Sequence, residues 1–272
     1  MQGRFSNQYK NKIQNFPKNN WKKEFEYASN SKFEIIEWIF DEIEPNPILN
    51  SEGVNEINEL MKKYDVKINS ICADYFMIKK LFNESESEIE DNIKILEKLI
   101  LQANELEISM IEIPLVDSSS LKTDKDKEEI EDNLNKIISL AEKNNTTIVL
   151  ETDLNPHNFR EFLIKFDNPF IMANYDSGNS TALNYNLEEE LKILKKWIKN
   201  VHIKDRKING GTVPLGTGDT DFEKLFATLS KINYSGDLII QGARQIETEI
   251  EPKYTCELYQ KFVKQYVDKY YI

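Results

Sequence analysis

Residues 147–153 read Thr147-Ile-Val-Leu-Glu151-Thr-Asp153, and the segment that follows opens on Pro156 and runs to Phe166. The first run is continuously apolar from 147 to 150 before its polar end, as a strand covered on both faces should be. The second predicts a helix over 156–166. Two other runs of the same kind stand elsewhere, Ile35-Ile-Glu-Trp-Ile-Phe40 and Leu238-Ile-Ile240. An antiparallel sheet with one wet face would alternate more cleanly.

Working outward, candidate strands fall near residues 1–5, 33–40, 67–76, 108–116, 147–153, 170–176, 199–205 and 236–243. Segments of 3.6-residue periodicity separate them. The clearest carries Ile89, Ile93, Leu96, Leu99, Ile100, Ala103 and Leu106 on one stripe, and another carries Ile130, Leu134, Ile137, Ile138 and Ala141. Further helices are expected at 21–30, 51–64, 187–197, 221–232 and 252–269. Strand–helix alternation of this kind is the signature of βαβ units. Periodicity does not separate a closed barrel from an open doubly wound sheet, but eight units favour closure. The fold class expected is α/β, a single (β/α)8 TIM barrel spanning residues 1–272 as one domain.

The chain has 272 residues, close to the ~250 typical of such a barrel. Its 47 acidic and 35 basic residues give a net charge of −12, which repels phosphate backbones and anionic lipid, so neither nucleic acid nor membrane is an expected partner. Cys72 and Cys256 are too few for a disulfide framework and are expected as reduced core thiols. The polar opening and the lack of a long apolar stretch point to a soluble cytoplasmic protein.

In a barrel the active-site face is built at the carboxyl ends of the strands. Four consecutive candidate strands end there in Glu151, Asp176, His202 and Gln241. This mixed oxygen and imidazole set suits one divalent cation, Mn²⁺, Mg²⁺, Co²⁺ or Zn²⁺, rather than a thiolate metal. Each acid has a plain alternative as a helix N-cap or loop ion pair. Only two histidines occur, His157 and His202, both on the predicted catalytic face.

Only four arginines occur, and Arg4, Arg206 and Arg244 lie at strand ends, where a guanidinium fork could hold carboxylate or phosphate or pair with mouth carboxylates. Four of nine glycines crowd into residues 210–218, after the seventh candidate strand. That loop could offer amides to an anion at a helix start, or could be a tight loop capped by Asp219 or Thr220. Glu37, Asp74 and Glu112 could line the same mouth or form buried ion pairs.

Leu-Glu-Thr-Asp at 150–153, Tyr-Asp-Ser-Gly-Asn at 175–179, Val-His-Ile-Lys-Asp-Arg at 201–206 and Pro-Leu-Gly-Thr-Gly-Asp-Thr-Asp-Phe at 214–222 resemble the xylose isomerase-like TIM barrels, in their sugar phosphate isomerase/epimerase branch. The resemblance implies a divalent metal held by Glu, Asp, His and a second Glu. Glu151, Asp176 and His202 match, whereas Gln241 replaces the fourth and cannot act as a base. It also implies isomerisation or epimerisation of a small sugar or sugar phosphate through an enediolate. Glu151 and His202 are then the expected catalytic residues, and Arg4, Glu37, Asp74, Asn179, Lys204, Arg206 and Arg244 the substrate contacts. A homodimer belongs to the same expectation. Because isomerisation needs one base and epimerisation commonly two, the missing acid at 241 bears on the reaction. A dehydratase or lyase, or a barrel that only binds carbohydrate, are the alternatives. A phosphodiesterase of abasic DNA on this scaffold is disfavoured by two histidines and −12 of charge.

Overall fold

The computed structural model describes residues 1–7, 14–244 and 251–271. Seven strands form one sheet, β1 (Ile35–Ile39), β2 (Lys67–Cys72), β3 (Met110–Leu115), β4 (Thr147–Thr152), β5 (Ile171–Asp176), β6 (Ile198–Ile203) and β7 (Asp237–Ile240). They pair in chain order, and every pair is parallel.

The expected first strand, 1–5, shrinks to a single bridge, Gln2 to Glu37. It nevertheless closes the barrel: Glu37 N–H donates to Met1 O at 2.9 Å, and Gln2 N–H donates to Ile240 O at 3.4 Å, so residues 1–2 span the gap between β1 and β7. Gly3 ends the run. Its φ of 46° leaves the extended region, and a Cβ there would stand 2.6 Å from Ile39 Cδ1.

Where main-chain pairing stops, two arginines take over. Arg4 Nε donates to Gly242 O at 3.1 Å, Arg244 Nη2 donates to Gly3 O at 2.8 Å, and Arg244 Nη1 donates to Ser6 O. Arg4 and Arg244, expected as substrate contacts, are thus placed at the seam between the N-terminal segment and the chain after β7. Arg244's fork binds carbonyls of the N-terminal segment, Arg4 Nη2 donates to Gln14 Oε1 at 3.5 Å, and neither arginine lines the cleft described below.

Eleven α-helices are present among the described residues: α1 (Trp21–Asn30), α2 (Ser51–Tyr64), α3 (Tyr75–Ile78), α4 (Glu86–Glu105), α5 (Asp124–Asn135), α6 (Ile138–Lys143), α7 (Pro156–Phe166), α8 (Ser177–Ala182), α9 (Leu187–Leu194), α10 (Phe222–Lys231) and α11 (Pro252–Tyr270). Asn50 and Asn155 start α2 and α7 by accepting from Gly53 N–H and Asn158 N–H, and Asp65 and Asp167 end them in the left-handed conformation. The stripe over 130–141 is split between α5 and α6. The cap of α10 is Asp221, which accepts from Lys224 N–H, and neither Asp219 nor Thr220 plays that part. Both cysteines are buried free thiols. None of these helices is long and apolar enough to cross a membrane.

Apolar residues fill the layer between strands and helices, including Leu96, Leu99 and Ile100 of α4 and Ile111, Ile148 and Leu150 of the sheet. The barrel interior is polar instead, with Gln2, Glu37, Ser70, Glu112, Asn174, Asn200 and His202 all at 5% exposure or less.

Buried acids also sit outside that interior. Glu190 of α9 is held by Ser180 Oγ, and burial pushes its carboxyl up to about 7, against the opposing hydrogen bond. The folded chain thus keeps a proton that the unfolded chain releases near its ordinary value of 4.5, so stability falls as pH rises between those values. Glu190→Gln is expected to flatten that slope and to be about 3 kcal/mol more stable than the parent at pH 8, read by urea unfolding at pH 5 and 8. A parallel pH slope in the two proteins would contradict this assignment.

Candidate active site and metal centre

Strand periodicity aims alternate side chains inward. On β5 this pairs Asn174 with Asp176, on β6 Asn200 with His202, and the β5–β6 register sets Asp176 opposite His202. Glu151, one place from the end of β4, arrives beside them.

His202 is fully buried and lies within 4 Å of four carboxyl groups. Its Nδ1 is 3.3 Å from Glu151 Oε2 and 3.8 Å from Asp176 Oδ2, and its Nε2 is 3.0 Å from Glu37 Oε2 and 3.5 Å from Glu112 Oε2. The Nε2–H axis runs straight to neither of the last two. Burial alone would lower the imidazole's pKa, but Glu37 and Glu112 outweigh it and hold it well above the ordinary value. Burial likewise opposes ionisation of Asp176, yet Lys204 and His202 keep its pKa at about 2. Glu112 goes the other way: burial, with the charges of Glu151 and Glu37, lifts it well above the usual carboxylate range despite His202.

Glu37 is corrected as a substrate contact. It is wholly buried below the mouth, accepting from Gln2 Nε2 at 2.8 Å, Ser70 Oγ at 2.7 Å and Asn200 Nδ2 at 3.2 Å. Its position beside Nε2 leaves Nδ1 facing Glu151 and Asp176. The Asn174 amide, 3.2 Å from Nδ1, also donates to Glu151 Oε2 at 2.6 Å.

Glu151 is held at both ends, because Asn179 Nδ2 donates to its Oε1 at 2.6 Å. Asp176 divides its oxygens similarly. Oδ1 caps α8 through Asn179 N–H at 2.8 Å, and Oδ2 faces Lys204 Nζ at 3.3 Å. The cap alternative is thus true of Asp176 without removing its second oxygen from the centre.

Donor atoms of Glu151, Asp176 and His202 lie within 4.8 Å of one another, as do those of Glu37, Glu112 and His202. Gln241 Oε1 is buried without a hydrogen-bond partner. Two carboxylate oxygens, one imidazole nitrogen and one spare amide carbonyl, amid an excess of acids, fit a divalent cation of the Mn²⁺, Mg²⁺, Co²⁺ or Zn²⁺ type.

A cleft of about 460 Å³ opens above this cluster, and its wall includes Asp74, Glu151, Asn179, Lys204, Arg206 and Gln241. Arg206 donates from Nη1 to Asn179 Oδ1 at 2.9 Å and from Nε and Nη2 to Gly210 O at 3.1 and 2.8 Å. His157 stands outside the cleft, exposed at the start of α7, 3.6 Å from Glu189.

Three amides at the far end of the glycine loop are already taken. Asp205 Oδ2 accepts from Gly216 N–H at 2.9 Å and Gly218 N–H at 2.8 Å, and Oδ1 accepts from Thr220 N–H at 3.2 Å. The chain's own carboxylate occupies the anion nest. A Cβ at Gly218 would lie 2.0 Å from Asp205 Oδ1, which is why glycine stands there.

Gln14, Asn174 and Asp205 carry no expected role from the sequence, and Cys72 is expected there only as a core thiol. Asn174 was within reach of it, two residues before Asp176 on the same strand face. Gln14 comes from an irregular segment that carries no periodic signal.

A family model of xylose isomerase-like TIM barrels matches residues 25–253. The chain is 23% identical over 232 residues to L-ribulose-5-phosphate 3-epimerase UlaE of Escherichia coli O1:K1 / APEC, covering 81% of each. It is 24% identical over 222 residues to inosose dehydratase of Clostridium perfringens, covering 70% of this chain and 73% of the relative. Among solved structures, the IOLI protein with a bound zinc atom superimposes with a TM-score of 0.78 at 18% identity, covering 92% of this chain and 93% of that one.

Proposed function

The chain belongs to the xylose isomerase-like TIM barrel family, and from that premise we propose that it moves a proton at a carbon of a ketose or ketose phosphate, as an isomerase or epimerase that works with one divalent cation. The observation that carries this reading is the meeting of Glu151, Asp176 and His202 at the floor of a cleft walled by Lys204, Arg206 and Asn179.

Glu151 is the base. Oε2 lies on the His202 side, while Oε1 is held by Asn179 and is the oxygen that reaches a proton in the cleft. Glu151, Asp176, His202 and the Gln241 carbonyl would hold the cation, which when bound would polarise the substrate oxygen next to the reacting carbon. His202 contributes Nδ1, kept toward the centre by Glu37 behind it. Arg206 has no carboxylate within ion-pair distance among the described residues and keeps N–H groups for a hydroxyl or phosphate.

UlaE is by name an epimerase of a ketose 5-phosphate, which supports that substrate class. Inosose dehydratase supports a second reading, elimination of water after the same proton abstraction. A panel of pentuloses, hexuloses, their phosphates and inososes, each with Mn²⁺, Co²⁺, Mg²⁺ or Zn²⁺, tests both. The expected product is an isomer of unchanged mass, formed only with metal. Loss of 18 mass units would favour the dehydratase, and no product from any sugar with any metal would sink the proposal.

A further inference from the structure

Inversion at carbon needs a proton donor on the face opposite the base, and position 241, where the chain after β7 meets the cleft, carries an amide. The cleft contains another acid close to it. Asp74, just after β2, also lines the wall, and one side chain joins the two positions: Gln14 Nε2 donates to Asp74 Oδ2 at 2.6 Å, while Gln14 Oε1 accepts from Gln241 Nε2 at 3.1 Å. The Gln14 amide therefore ties Asp74 to Gln241, and both side chains share the cleft wall with Glu151.

We infer that Asp74 supplies the second proton-transfer group, standing in for the acid absent at position 241, and that the chain therefore epimerises rather than only isomerises. This inference rests on the reading above of Glu151 as the first base.

The chemistry balances with the two carboxyls alone. Glu151 takes the C–H proton from one face and leaves the enediolate of the substrate; Asp74, entering protonated, gives its proton to the same carbon from the other face. One C–H bond is broken and one formed, with the configuration inverted. Solvent exchange of the two carboxyls resets the pair, and the reverse reaction uses them in the opposite order.

The surroundings suit such an acid. Asp74 is a half-buried side chain whose other oxygen, Oδ1, takes only a weak 3.4 Å contact from the Cys72 thiol, and among the described residues no cation lies within ion-pair distance of it as Lys204 does of Asp176. Burial raises its carboxyl to about 6, against the Cys72 and Gln14 hydrogen bonds, so that both protonation states are populated near neutral pH.

The test separates exchange from inversion. A ketose or ketose phosphate turned over by the wild type is incubated in deuterated water with the metal-loaded protein. The wild type is expected to yield the epimer with one deuterium at the inverted carbon. Asp74→Asn is expected to retain Glu151-dependent deuterium exchange into the starting sugar, with epimer formation reduced on the order of 100-fold or more. Glu151→Gln is expected to lose both from that sugar. If Asp74→Asn folds poorly, Asp74→Glu gives the same reading, because a displaced carboxyl must slow inversion more than exchange. Inversion by Asp74→Asn at near wild-type rate, or equal loss of exchange and inversion in a folded Asp74→Asn, overturns the inference and leaves Glu151 as base. A wild type that neither exchanges nor inverts any sugar overturns the base assignment itself, and this inference with it.

Discussion

Glu151→Gln is expected to reduce turnover by on the order of 10²–10⁴-fold while leaving the protein folded. The substitution keeps the shape and one acceptor oxygen, so one of the Asn174 and Asn179 amides, which now hold one carboxylate oxygen each at 2.6 Å, keeps its partner and the other must turn its amide over. What it removes is, among the described residues, the acid that both lines the cleft and faces His202 Nδ1; Asp176 also faces Nδ1 but does not line the cleft and is engaged by Lys204 and the α8 cap. Steady-state kinetics beside a thermal melt checks it. Turnover within about threefold of wild type would remove Glu151 from the chemistry, since a general base contributes far more than that.

Asp205→Ala is expected to be the most destabilising single change near the site, by about 3 kcal/mol, because three amides lose an ionised acceptor at once and are only partly reached by water. For a chain of this size that lowers the melting temperature by roughly 5–10 °C. The functional loss should be larger than the stability loss suggests. The Asp205 carboxylate pins Gly216, Gly218 and Thr220, Asp219 N–H bonds Arg206 O at 2.9 Å, and Thr220 Oγ1 reaches Lys204 O. Releasing the loop therefore loosens the two cations on the cleft wall. Differential scanning calorimetry with KM measurements reads both effects, and Asp205→Asn, which keeps one acceptor oxygen, should fall between. An unchanged melting temperature in Asp205→Ala would mean that the nest is filled by solvent at no cost.

Much of this was legible in the sequence because the signals were local. The helices at 51–64 and 156–166 coincide with α2 and α7, where an Asn cap and a left-handed Asp mark the ends within a few residues. Glu151, Asp176 and His202 could be brought together from strand ends alone, since a parallel barrel turns neighbouring strand ends into neighbours in space. What failed depended on contacts far apart in the chain. The first strand is cut to two residues by Gly3 packing on Ile39, Arg4 Nε bonds Gly242 O, and Arg244 spends its fork on Gly3 and Ser6, each contact spanning more than 200 residues. Glycines 210–218 look like a ligand loop from composition, yet the anion they hold is Asp205, a residue that no local rule distinguishes from a surface acid. The short helices α3 and α8 follow β2 and β5 directly and are too brief for a periodic signal.

The central claim is that this barrel moves a proton at carbon, with Glu151 as the group that takes it. Proton NMR of a turned-over ketose or ketose phosphate in deuterated water, with the wild type and with Glu151→Gln, measures that directly. The account predicts that the wild type replaces one carbon-bound proton beside the carbonyl by deuterium as the isomer forms, and that Glu151→Gln leaves that resonance intact. An isomer that appears with its carbon-bound proton fully retained would contradict it.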